Sequence, residues 1–83
     1  MVQARVFVTL KKSVLDPQGS VVRSGLVSLG YREVQDVRVG KYLELLVAAP
    51  AAEAEKRVRE MCEKLLANSV IEEYSFEIAE VGE

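Results

Sequence analysis

Val2, Ala4, Val6, Val8 and Leu10 alternate with Gln3, Arg5, Phe7, Thr9 and Lys11, the period of two of a strand with one buried face. Between Lys11 and Leu15 the alternation fails, and Asp16-Pro17 follows. Asp is a good N-cap, and Pro fits the first helical turn because the N–H it lacks would have no partner there. Val22, Leu26 and Leu29 then share a helical face, with Val21 and Gly25 beside them and Gly30 placed as a left-handed terminator. A helix over 17–29 is expected.

From Val37 the odd positions read Val37, Val39, Lys41, Leu43, Leu45, Val47, so a strand phase runs through Gly40 without slipping. A two-residue hairpin at Gly40-Lys41 would pair Val37 with Glu44 and put a charge on the apolar face. A loop with an odd number of residues would keep the faces matched, which leaves a hairpin as the alternative. A continuous strand of roughly 12–14 residues spans about 40 Å at 3.3 Å per residue and would overhang its own monomer.

Pro50 opens a second helix, with Ala54, Val58, Met61, Cys62, Leu65 and Leu66 on its apolar stripe. The other face offers Glu53–Arg57, Glu55–Arg59 and Glu60–Lys64 at i, i+4, each worth about 0.2–0.5 kcal/mol. Asn68 is read as a left-handed terminator. Val70, Tyr74, Phe76 and Ile78 then oppose Glu73, Ser75 and Glu77 in a third strand.

The order β-α-β-α-β predicts an α+β fold, a ferredoxin-like split β-α-β two-layer sandwich with a long second strand and both helices on one face of the sheet. The split arrangement leaves a slot between strands linked by a helix, which a partner's overhanging second strand could fill. Phe7 and Tyr42 on the other sheet face favour burial against another copy.

Composition adds exclusions. At 83 residues the chain is expected to be a single domain over 1–83 with a modest core, a size at which oligomerisation often supplements stability. A homodimer is the first expectation, with pairing of dimers into a tetramer left open. No apolar run approaches 18 residues, and Gln3 and Arg5 interrupt the first strand, so neither a membrane span nor a secretory signal is read and the expected compartment is the cytoplasm. Eleven basic against 13 acidic residues leave a net charge of −2, which disfavours nucleic acid.

Candidate chemistry is sparse. The chain has no histidine and one cysteine, so a Ser or Cys triad and a structural zinc site are both disfavoured. Cys62 falls on the apolar stripe of the second helix, where a thiol packs as a small hydrophobe. Glu53, Glu55, Glu60 and Glu63 lie on its solvated face near basic partners, a poor setting for paired acid/base work. Neither GxGxxG nor GxxxxGK[ST] occurs. No catalytic, cofactor-binding or metal-ligating residue is expected on this chain.

What stands outside the core pattern is polar detail: Lys11, Lys12, Asp16, Pro17 and Gly19 after the first strand, Arg38, Gly40 and Lys41 in the second, and Asn68 with Glu72 before the third. Each has a purely structural reading as a cap, a bend or a terminator. Together they are the candidate partner contacts, because recognition residues concentrate where a rigid scaffold presents loops.

These same segments carry a resemblance. "VTLKKSVLDPQG", "DVRVGK" and "MCEKLLANSVIEEY", in this order and spacing, resemble the PurS family, the small subunit of phosphoribosylformylglycinamidine synthase, over essentially the whole chain. Ser13 stands where that family often has Gly, and Ser69 where it often has Pro; both concern turn geometry. The resemblance implies a subunit, inactive alone, of an ATP- and glutamine-dependent ligase of purine biosynthesis. In that complex a glutaminase subunit, PurQ, releases ammonia. A large synthetase subunit, PurL, uses ATP and Mg to convert formylglycinamide ribonucleotide into its amidine, and the small dimeric subunit bridges the two. The competing reading is a ferredoxin-like regulatory domain that senses a small molecule at a dimer interface.

Overall fold

The computed structural model describes residues 1–81. β1 (Val2–Leu10), α1 (Pro17–Ser28), β2 (Gly40–Val47), α2 (Ala51–Met61) and β3 (Glu72–Glu80) follow one another in the expected order. The sheet order is β2-β1-β3, with β1 antiparallel to both neighbours. β2 and β3 therefore run parallel, joined through α2, with β1 between them. This is the split β-α-β arrangement, but its slot is filled by the chain's own first strand and not by a partner's second. β1 suits the centre: Val2, Ala4, Val6 and Val8 are at most 1% exposed, and its backbone groups find partners on both sides.

Ala54 and Val58 on α2 and Cys62 just after it, spaced four apart, are fully buried; Val58 and Cys62 join Ala4, Val6 and Val8 in the core, with Leu43, Leu45, Tyr74, Phe76 and Ile78 packed against it. Burying each large apolar side chain contributes roughly 1.5–3 kcal/mol. After Met61 the helix widens into a π-helical turn, Cys62–Leu66, where the N–H of Ala67 donates to the Cys62 carbonyl at 2.9 Å. The extra residue returns Ala67 to the core and turns Leu65 outward, 83% exposed. Leu65 therefore leaves the stripe on which a regular helix would have placed it, while Met61, still within α2, is half-exposed at the stripe's edge.

α1 begins as its sequence dictates, with Pro17 in the first turn and Asp16 as N-cap. It ends in a Schellman motif: Gly30 has φ 104°, its N–H donates to Val27, and that of Tyr31 donates to Leu26, both at 3.0 Å. Its expected apolar face is poorly covered, since Val22 and Leu29 are exposed and only Gly19 is buried. The radius of gyration is 16.2 Å and the extents are 47 × 29 × 14 Å, where a compact chain of this length would have a radius near 12 Å.

Three boundaries differ from the sequence reading. β2 is eight residues long and starts at Gly40, without a hairpin there. Gly40 pairs with Thr9 near the end of β1, so Val37–Val39 run past the last strand that could pair with them. Val70 lies before β3 and is exposed. Asn68 is not left-handed, as no described non-glycine residue has positive φ; its side chain instead accepts from the N–H of Val70 at 3.1 Å, closing a turn on itself. Of the expected helical ion pairs, Arg59–Glu55 forms, at 3.2 Å.

Candidate functional site

The polar residues singled out in the sequence gather at one end of the sheet, where β1 ends and β2 and β3 begin. Asp16 is the organising group. One carboxylate oxygen accepts from the N–H of Gly19 and the other from the N–H of Val39, each at 2.9 Å. One side chain thus caps α1 and fixes the approach to β2. The Gly19 bond lowers the Asp16 pKa most, the Val39 bond next, and the Arg38 charge adds a smaller contribution in the same direction, against the opposing effect of burial.

Both nearby glycines are required by close approach. A Cβ on Gly19 would run into the carbonyl oxygen of Val37 and the Asp16 carboxylate, and one on Gly40 into the carbonyl oxygen of Val8 and the Thr9 side chain. These contacts hold α1 against the segment before β2, and β2 against β1.

Arg38 faces the loop that joins β1 to α1. Its Nη1 donates to the carbonyls of Lys11 at 3.3 Å and Val14 at 3.1 Å, and its Nη2 to that of Lys12 at 2.8 Å. Its Nε lies 3.7 Å from an Asp36 carboxylate oxygen. The guanidinium fork therefore shapes this loop from within. Lys11 is half-buried and its N–H donates to the Ile71 carbonyl at 2.9 Å, while Lys12 is exposed.

Lys41 and Glu72 form a second group, with Nζ 3.7 Å from a Glu72 oxygen; the other Glu72 oxygen accepts from the N–H of Asn68 at 2.7 Å. Pro17, Gly40, Lys41 and Glu72 line a cleft of about 350 Å³. A neighbouring cleft of about 400 Å³ is lined by Lys12, Asp16, Arg23, Asp36 and Arg38 among others. Arg23 and Asp36 were not singled out from sequence. Arg23 donates from Nε to the carbonyls of Val34 and Gln35 at 3.2 and 3.1 Å, contacts eleven and twelve residues away that carry no local signal.

The sheet face away from α2 presents Phe7 and Tyr42 as registered neighbours, their ring centroids 5.2 Å apart and both rings exposed. Partial burial and the neighbouring Glu44 charge raise the Tyr42 pKa. Among the described residues no cluster of His, Cys, Asp and Glu could hold a metal ion, and no helix is long and apolar enough to cross a membrane. What the end of the sheet offers is cationic side chains and amide donors on a fixed frame.

The chain is similar to known proteins along its length. The sequence profile of a family described as "PurS: Phosphoribosylformylglycinamidine (FGAM) synthase" matches residues 3–80. The phosphoribosylformylglycinamidine synthase subunit PurS of Bacillus subtilis is 56% identical over 81 residues, covering 98% of this chain and 96% of the relative. The fold matches the B. subtilis PurS crystal structure with a TM-score of 0.85 at 55% identity, over 96% of this chain and 100% of that one. It also matches a chain from the structure of PurLQS from Thermotoga maritima, with a TM-score of 0.81 at 28% identity, over 95% of this chain and 99% of that one.

Proposed function

The chain belongs to the PurS family of phosphoribosylformylglycinamidine synthase subunits, and from that membership we propose that it is the small, non-catalytic subunit of the glutamine-dependent synthase of purine biosynthesis. It bridges a glutaminase subunit, PurQ, and an ATP-dependent synthetase subunit, PurL, and helps ammonia pass between them. ATP, Mg and glutamine are handled by those partners, and the complex works in the cytoplasm. The observation that carries the reading is the whole-length match, in sequence and in fold, that extends to a chain of a PurLQS structure.

Reconstitution tests it. Mixed with PurL and PurQ, the chain should co-elute with them and restore glutamine-dependent formation of the amidine, with ammonia-supported synthesis by PurL much less affected by its omission. Glutamine-dependent turnover that is the same with and without the chain would sink the proposal.

The chain works as a homo-oligomer. The elongated shape, the little-covered α1 and the exposed Phe7, Tyr42 and Leu46 leave apolar surface that a second copy would bury. The β2 edge, Lys41–Val47, carries only Lys41 and Glu44 as charges, whereas the β3 edge carries Glu72, Glu73, Glu77 and Glu80. Charges blunt an edge against pairing, so β2 is the edge suited to a copy.

A further inference from the structure

We propose that the loop Lys11–Leu15 is a docking surface for an acidic segment of one of the other synthase subunits, and that Arg38 is the positioning residue that shapes it. This deepens the bridging role above and rests on it.

One guanidinium collects the carbonyls of Lys11, Lys12 and Val14. The N–H of Lys11 donates to Ile71 and that of Val14 to Lys11, both at 2.9 Å, but the N–H groups of Lys12 and Ser13 have no acceptor among the described residues, and both residues are exposed. Amide donors and an ammonium group on one short rim form a site for carboxylates, since successive N–H groups in a turn attract anions. The local charge agrees. Lys12, Arg23 and Arg38 line the adjoining cleft with Asp16 and Asp36, and the Asp16 carboxylate already accepts from two backbone N–H groups. Three cations against two carboxylates leave this rim positive on a chain whose net charge is −2, which favours an acidic partner surface here.

Arg38 is suited to this role and Lys is not. A planar fork reaches three carbonyls at once, while an ammonium is a point charge on a flexible stem. The Arg38 side chain is 25% exposed, and its donors on the loop side are already engaged, so it acts through the loop and not by touching the partner.

The test measures association of the wild-type chain, Lys12→Glu and Arg38→Lys with PurL and with PurQ separately, at two salt concentrations. Melting temperature and amide exchange at Val14 are followed in the isolated chain. Lys12→Glu should weaken binding to one subunit at least tenfold, flatten the salt dependence and leave the melting temperature unchanged. Arg38→Lys should keep the charge, speed exchange at Val14 and weaken the same association. If Arg38→Lys does not fold, Lys12→Glu alone decides. Wild-type binding of Lys12→Glu to both subunits overturns the docking surface. Binding of Arg38→Lys at wild-type strength, with Val14 exchange accelerated, overturns the positioning role. A wild-type chain that binds neither subunit overturns the bridging function itself, a separate outcome.

Discussion

The carboxylate of Asp16 and the N–H of Val39 meet at 2.9 Å, across 23 residues of chain, while the same carboxylate caps α1 through Gly19. Local helix capping and long-range closure are therefore one interaction, and its protonation loosens both. The Asp16 pKa is lowered in the folded state, chiefly by the Gly19 and Val39 bonds. The stability this gives is fully present above the ordinary carboxylate value near 4 and is lost as pH falls below it. Melting temperature followed from pH 6 downward should drop for the wild type in that acid window. Asp16→Asn should be less stable at pH 6 and show a flatter profile below pH 4. Parallel profiles would remove Asp16 from the account.

Three glycine substitutions should separate by sign. Gly40→Ala and Gly19→Ala force a Cβ into backbone oxygens and should each cost about 1–3 kcal/mol, as overpacking does. Gly25 sits inside α1 with nothing near its missing Cβ, so Gly25→Ala should stabilise by about 0.5–1 kcal/mol. Denaturant titration of the three variants checks the order.

Cys62 is fully buried, and burial raises its thiol pKa. A thiol reagent at pH 8 should label the native protein slowly and the unfolded protein at once. Cys62→Ser places a hydroxyl in the same apolar site and should cost about 1–3 kcal/mol, measured by urea denaturation. Fast native labelling would contradict this placement.

Lys41 and Arg38 differ in what they hold. The Lys41–Glu72 pair spans 3.7 Å with the Lys41 side chain 58% exposed, so Lys41→Ala should change the stability of the isolated chain by under about 1 kcal/mol. Arg38→Ala frees three carbonyls and should lower the melting temperature more. Equal losses would mean that the Arg38 clamp contributes little.

In solution the chain should sediment at twice its 9.2 kDa at micromolar concentration, with a melting temperature that rises with protein concentration. Leu46→Asp on the exposed face of β2 should shift it toward monomer. A wild-type monomer at that concentration would exclude the dimer.

Much of this molecule is written locally. The alternation of Val2, Val6 and Val8, the Asp16-Pro17 start of α1 and the Gly30 stop are read from residues a few positions apart, because strand period, capping and left-handed backbone are local physics. So is the spacing of Ala54, Val58 and Cys62 along α2 and its C-cap. The gathering of Asp16, Arg38, Gly40, Lys41 and Glu72 at one end of the sheet was foreseeable only as a list of unexplained polar residues. Which strand fills the slot, where β2 begins, why Leu65 points outward and which carbonyls Arg38 holds were decided by the tertiary structure. Strand pairing and a guanidinium's acceptors are fixed by partners 24 to 78 residues away, and no local window along the chain contains both halves of such a contact; the π turn closes within five residues, but no period in the sequence marks its extra residue.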